Sequence, residues 1–475
     1  MIARRDLGRL LPGLAGFALI AAIAVMAGDR FVQDTIDAAG DDPGRLWWLG
    51  LVVMMGLAVV ALGRWAPTDR LSLPLVALLL ALYVGLRVTA IALAPAPVVS
   101  DWARYDALAR ELLASGLRLD VVPTGFPALL AGVYAVGGAT TGTGQTLQLI
   151  IGSLTGVVAY ALAATAWNHR VAAIGLLLLA VAPSQILLGT VLASEPLYTL
   201  LAALAALALV HSPGPAMAAI AGVVLAGSQY VRATSLALIP LFAWLAWRWQ
   251  RRVSPDDRAA WRAPAALAIA FVVVLLPVLA WNLTDLGTPS LSTSRLQNFY
   301  LLVGLNQDTD GRFNGSDLEL VGGEFGTPES EALAREIAIA RVKDDPIGTL
   351  GLVLRKVWQW ADEDYGAYWA FGVVDDRGAG WAVGVLLSRA WWAVVTILAA
   401  VAVAFTPIAN RLTQLTLGST AIVGLLHLAL EAQGRYHAWL VPFVAILAAA
   451  AMGTRLGVPR DGPNPVPAAG GRTGL

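Results

Sequence analysis

Cysteine is absent from this chain, which excludes disulfides, thiolate nucleophiles and cysteine metal sites. Charge is scarce as well. Only 13% of the 475 residues are Asp, Glu, Lys or Arg, against about 25% in a soluble globular chain. So few charges do not suit a surface that faces water on all sides. The formal net charge is zero, so the basic footprint that nucleic acid requires is missing. Lysine is nearly absent too: Lys343 and Lys356 are the only two among 32 basic residues. That bias, with abundant Ala and Gly, points to a bacterium with GC-rich codons. What the chain has in excess is apolar residues, at 58%, with a mean hydropathy of +0.69. Long apolar stretches recur along its whole length, as membrane spans of roughly 20 residues do. The expected fold class is an all-α polytopic membrane protein.

Hydropathy places twelve spans, at 10–27, 46–63, 71–94, 145–166, 171–188, 193–210, 215–231, 234–247, 264–282, 382–406, 413–430 and 437–454. The N-terminal stretch has the basic start and apolar run of a signal peptide. No small-residue cleavage site follows it, so it reads as a retained first helix. With the N-terminus in the cytoplasm, the basic stretch from Arg248 to Arg262 falls inside, together with Met1–Arg9, Arg64–Arg70 and Arg455–Arg460. The acidic segment Asp29–Asp42 falls outside. Inside segments are then net basic and outside segments net acidic, as the positive-inside rule requires. Both termini are cytoplasmic on this topology. Arg87 and Arg389 are the clear charges inside spans, and both lie where they can snorkel to headgroups.

This topology divides the chain into five parts. Residues 1–70 hold the first two helices, and 71–282 form a transmembrane core containing a first outer loop, 95–144. A second outer loop with juxtamembrane helices covers 283–380. The last helices lie in 381–455, and a Pro/Gly-rich cytoplasmic tail, read as disordered, covers 456–475. The two outer loops carry most of the polar chemistry. In the first, Trp102, Tyr105, Leu108, Ala109 and Leu112 recur at helical spacing and Gly116 closes the pattern, so Asp101 opens an amphipathic helix. The plain structural reading of Asp101 is a helix N-cap, worth about 1 kcal/mol. Pro123, Gly125 and Pro127 shape a turn back towards the membrane. In the second loop, Asp345 and Pro346 start a Trp-rich amphipathic helix suited to the interface.

The order Asp101, Tyr105, Ala109, Gly116, then Pro123, Gly125, Phe126 and Pro127, resembles the GT-C membrane glycosyltransferases. It is most similar to the branch containing the protein O-mannosyltransferases and the lipid A aminoarabinose transferase, which use polyprenyl-phosphate sugars. The resemblance continues through Glu195 after a short outer turn, Arg232 in the next outer turn, and Trp281-Asn282, Gly287, Asn298, Gly304, Asn306 and Gly311. It ends with Lys356 on the interfacial helix and with Glu431, Arg435, Tyr436 and His437. It covers roughly residues 71–455. Trp102 stands where many members have a second acidic residue. The resemblance implies that Asp101 is the catalytic base, with Asp106 as the fallback acid and Glu195 as a second catalytic carboxylate. It implies that Arg435, Tyr436, His437, Lys356 and Arg232 bind the donor phosphate. Plainer readings stand beside these: Glu195 precedes Pro196 and suits a helix first turn, and Arg435-Tyr436-His437 suits an interfacial belt.

The expected reaction is inverting transfer of a hexosyl or pentosyl group from the lipid donor to a hydroxyl of a protein, lipid or polysaccharide acceptor, at the outer face of the cytoplasmic membrane. A monophosphate leaving group offers no pyrophosphate to chelate, so no metal is required, although acidic residues in these loops offer ligands for one. No other cofactor and no nucleic acid is expected. A transporter or flippase for lipid-linked saccharides fits the helices equally well, but the large outer loops and the shortage of midplane polar groups speak against it. Two further readings are a polymerase or ligase with a diphosphate-linked donor and a non-catalytic scaffold.

Overall fold

The computed structural model describes residues 18, 20–23, 73–93, 98–362 and 379–453, except 255, 288, 325 and 406–408. The expected spans 10–27 (apart from residues 18 and 20–23) and 46–63 and the tail lie outside the described residues. Among the described residues every regular element is helical. The first part comprises α1 (Leu73–Leu93), α2 (Ser100–Ser115), α3 (Gly125–Gly137), α4 (Thr141–Ala166), α5 (His169–Ala180), α6 (Pro183–Leu188), α7 (Glu195–His211), α8 (Pro215–Val231) and α9 (Ser235–Val253). A short α10 (Asp257–Ala260) leads into α11 (Arg262–Val274) and α12 (Leu276–Leu286). The second loop holds α13 (Gln297–Gly304), α14 (Gly315–Leu320), α15 (Pro328–Asp344) and α16 (Pro346–Ala361). The last part is α17 (Ala379–Phe405), α18 (Arg411–Ala429), a 3-10 helix (Gly434–Leu440) and α19 (Val441–Gly453).

A helix occupies each of the ten expected spans from residue 71 onward. Among the described residues, five helices are long and apolar enough to cross a membrane: α1, α4, α17, α18 and the 3-10 helix continued by α19. A bent pair, α10–α11 with α12, makes a sixth. The expected continuous span 264–282 is bent by 53° there, where Pro277 lacks the N–H that would carry the ladder across the break. The expected span 171–188 is broken in the same way, because Pro183 opens α6 at its first turn. These features define a multi-pass helical membrane protein.

α19 is the central helix, buried from Val441 to Ala451. α1 lies at the periphery, where Leu78, Leu82 and Val88 are exposed. In a bilayer that apolar face contacts lipid. Close backbone packing needs glycine at particular points. Any side chain at Gly222 would strike the Leu267 backbone, so α8 and α11 meet tightly. Gly125 holds the start of α3 against the Tyr230 backbone, where a Cβ would lie 2.8 Å from the carbonyl. The turn from Pro123 therefore runs directly into α3 and docks beside the end of α8.

Both intramembrane arginines depart from the snorkelling expectation. Arg87 is only 4% exposed; it stacks on the Tyr83 ring at 3.5 Å and donates to the Tyr83 and Leu179 carbonyls. Arg389 forms a two-pronged ion pair with Asp362, at 2.9 and 2.8 Å. Arg389 thus meets a carboxylate inside the protein, while Arg87 meets only backbone carbonyls and an aromatic face.

The described residues of the second loop are held together by α13–α16. The Glu331 carboxylate caps α13, accepting from the backbone N–H of Asn298 and Phe299, and burial raises its pKa. Asp317 is fully buried and accepts from Asn306, Asn314 and Arg341. Asp345 caps α16 by accepting from Gly348 N–H, as expected. The face of α16 carrying Ile347, Leu350, Leu354 and Trp358 is exposed, while Leu352, Lys356 and Trp360 face inward.

Candidate active site

Asp101 lies one residue inside α2, whose N-cap is Val99. It therefore does not cap the helix. Its carboxylate instead accepts a 2.7 Å bond from Arg435, at the start of the 3-10 helix. The buried partners of α2 are Trp102, Leu108, Ala109 and Leu112, and Gly116 terminates it at φ 89. Arg435 holds the Asp101 carboxyl below its ordinary value, outweighing the opposing effect of burial.

A second pair lies beside the first. Glu195 opens α7, is 3% exposed, and pairs with Arg232 at 2.8 Å. Arg232 follows the last residue of α8 and also donates to Ser194 Oγ at 3.3 Å. Tyr105 Oη lies 3.4 Å from the same Ser194 oxygen, joining α2 to the second pair. One turn separates Tyr105 from Asp101, so both reach the same face. Tyr436 bridges the two arginines: Arg435 and Arg232 lie 5.2 and 5.5 Å from its ring centroid. Its hydroxyl donates to Glu431 at 2.7 Å and accepts from Arg435 at 3.5 Å, so ring and hydroxyl oxygen both meet the cations. Tyr300, on α13, belongs to the same neighbourhood. Burial raises its pKa, and Glu431, Tyr105 and Asp101 push it further.

Of the expected residues, the structure thus assembles Asp101, Glu195, Arg232, Arg435 and Tyr436. Three others lie apart. The Lys356 ammonium is fully buried and donates to the carbonyls of Gly304, Leu428 and Leu430. Burial pushes its pKa down to about 8. It pins α16 behind the segment carrying Glu431. His437 is 1% exposed, stacks on Trp392 at 4.9 Å and bonds the Trp360 carbonyl through Nδ1. Asp106 binds Arg110 at 2.8 Å and Tyr134 at 2.5 Å. Five positions along a helix turn it well away from Asp101. Ser194 and Tyr300 were not among the expected site residues. A serine beside Glu195 carried a signal only by adjacency, and nothing marked Tyr300 among neighbouring apolar residues. Among the described residues, no group of three or more His, Asp or Glu side chains is placed to hold a metal.

The far end of the bundle is different in character. α9 runs away from Arg232 and ends in Arg251 and Arg252. Arg411 donates to the Val210 carbonyl there, and its guanidinium lies 5.7 Å from the Trp249 ring. The acid-arginine cluster and the basic stretch thus occupy opposite ends.

No family model matches the chain, and no curated protein matches its sequence. Solved structures do resemble it. One is the Archaeoglobus fulgidus oligosaccharyltransferase tethered to an acceptor peptide containing the NVT sequon, at 14% identity and a TM-score of 0.42, covering 80% of this chain. The chain spans about half of that protein, 49% of its length. Another is ArnT from Cupriavidus metallidurans bound to undecaprenyl phosphate, at 14% identity and a TM-score of 0.37, covering 79% of this chain and 77% of the other. Both are GT-C glycosyltransferases. Superpositions this loose define neither the site nor the substrate.

Proposed function

We propose that this protein transfers a sugar from a polyprenyl-phosphate-linked donor to an acceptor hydroxyl at the outer face of the cytoplasmic membrane. One observation carries the reading. Two carboxylates and two arginines, from four segments far apart in sequence, converge around Tyr436 at the end of the bundle away from the basic stretch. A phosphate at headgroup level suits paired guanidiniums, which offer planar, bidentate donors.

In the proposed step the acceptor oxygen attacks the sugar C1, the C1–O bond to phosphate breaks, and polyprenyl phosphate leaves with the electron pair. Asp101 takes the acceptor proton, and a single displacement inverts C1. Arg435 and Arg232 stabilise the charge growing on the departing phosphate. Paired with Arg435, Asp101 is a weak base. When donor phosphate draws Arg435 to itself, the carboxylate loses its partner and gains basicity. Glu195 keeps Arg232 oriented throughout. Lys356 and His437 act from behind, holding the Glu431–Tyr436 segment in place, and Asp106 keeps to its own pair.

Membranes supplied with a polyprenyl-phosphate sugar and acceptor test the proposal. Asp101→Asn is expected to lower transfer by about 10²–10⁴-fold at unchanged protein level. Full transfer by this variant would remove Asp101 from the mechanism.

A further inference from the structure

A second polar site lies deeper, between α1 and the helices α4, α6 and α7. Tyr83, Arg87, Gln148, Thr155, Gln185 and Thr199 are among the groups that line a cavity there of about 30 Å³. That is room for roughly two water-sized atoms, such as the terminal oxygens of a phosphate. Gly156 on α4 forms the notch that admits Tyr83, since a Cβ there would press on the ring at 3.0 Å, and Gly152 lies alongside Arg87.

Two features of this cavity are unresolved by the protein itself. Arg87 is buried and carries a charge at any physiological pH. Its partners are two backbone carbonyls and an aromatic face; among the described residues no carboxylate pairs with it. Buried charges are ordinarily matched by an opposite charge, because taking them out of water costs several kcal/mol. Gln148 is 1% exposed; its Nε2 donates to the Ala193 carbonyl, but its Oε1 is buried with no partner. An unmatched cation and an unmatched acceptor thus line the same small cavity. Thr155 and Thr199 donate their hydroxyls to backbone, leaving oxygen lone pairs to accept. The cavity also abuts the ion-pair cluster, since Pro196 lines it beside Glu195.

We infer that this cavity binds the phosphate of a membrane lipid, its anionic oxygens on Arg87 and a hydroxyl of the headgroup or of the protonated phosphate donating to Gln148 Oε1. The chemistry is shared by a polyprenyl phosphate and by a bilayer phospholipid. The inference does not depend on the transfer reaction, because binding is read without turnover.

The test uses the full chain in phosphatidylcholine nanodiscs, in an Arg435→Ala background that disables the outer cluster. Native mass spectrometry measures retention of added polyprenyl phosphate and, separately, of phosphatidylglycerol. Arg87→Met is expected to weaken at least one of the two by roughly tenfold or more, the size of one lost charge-assisted contact. Loss confined to polyprenyl phosphate identifies the carrier lipid as the occupant, and loss confined to phosphatidylglycerol identifies a bilayer phospholipid. Loss of both assigns recognition to the phosphate they share. Gln148→Leu, which preserves the Arg87 contacts, is expected to weaken the same lipid and carries the test should Arg87→Met fail to fold. Affinities for both lipids unchanged in Arg87→Met, or in Gln148→Leu if it alone folds, would overturn the site.

Discussion

Arg435 donates to Asp101 across 334 positions of sequence, and Arg232 reaches back 37 residues to Glu195. The two pairs differ in burial, and that decides what each loss does. The Asp101 side chain is 44% exposed, so its pair contributes little to stability and its removal is read in activity. Glu195 is almost wholly buried. Glu195→Ala leaves Arg232 facing an unmatched space and is expected to destabilise the protein by about 3–5 kcal/mol. A thermal melt of the purified protein checks this, with Glu195→Gln the milder variant. The pH response follows from the direction of the Asp101 shift. Its folded pKa is depressed, so the pair is fully formed above the ordinary carboxylate value of about 4 and is lost as pH falls through the lower folded value. The acid limb of kcat/KM should therefore lie below the usual carboxylate range and move up towards it in Arg435→Ala. An unmoved limb would separate Asp101 from the base role.

Among the elements, α2 and α16 were legible in the sequence because each repeats its apolar residues at helical spacing and carries its own boundary signal: Gly116 for α2, Asp345-Pro346 for α16. The breaks at Val181–Ala182 and Leu275 were not, since hydropathy averages over a proline and sees one continuous apolar run. The roles of Lys356 and His437 were illegible for a related reason. The sequence offers a cation or an imidazole in segments expected at the outer face, but only packing reveals that backbone carbonyls and Trp392 already occupy them. α16 makes a prediction of its own. Its exposed row, Ile347, Leu350, Leu354 and Trp358, follows the spacing of one helix face, and an interfacial helix buries such a face among acyl chains. Because the chain has no native cysteine, Leu354→Cys accepts a single spin label. The label should be relaxed by oxygen more than by a water-soluble nickel chelate; the reverse would put α16 in water.

For the whole molecule, the separation of the two ends is the property to examine. Residues at the cluster end should be reachable from outside an intact cell, and residues at the basic end only after permeabilisation. Arg104 and Arg252 are both exposed, one on α2 and the other on α9. An impermeant maleimide should tag Arg104→Cys in whole cells and Arg252→Cys only in opened ones. Tagging both from outside, or Arg104→Cys only from inside, would remove the proposed orientation. Charge bias and hydropathy supply the proposed orientation because they reflect solvent on each side. They contain nothing of Ser194 meeting Tyr105, or of Gln148 Oε1 left bare, since those depend on how helices pack against one another.

The embrace of Asp101 by Arg435 also bears on waste. A carboxylate held by a guanidinium does not readily activate the nearest water, so the proposed enzyme would be quiet when idle. On the proposed mechanism, arrival of the charged lipid would release the base only once its cargo is already in place, and stray hydrolysis of a costly activated sugar would be curbed by the same two side chains to which the transfer is assigned.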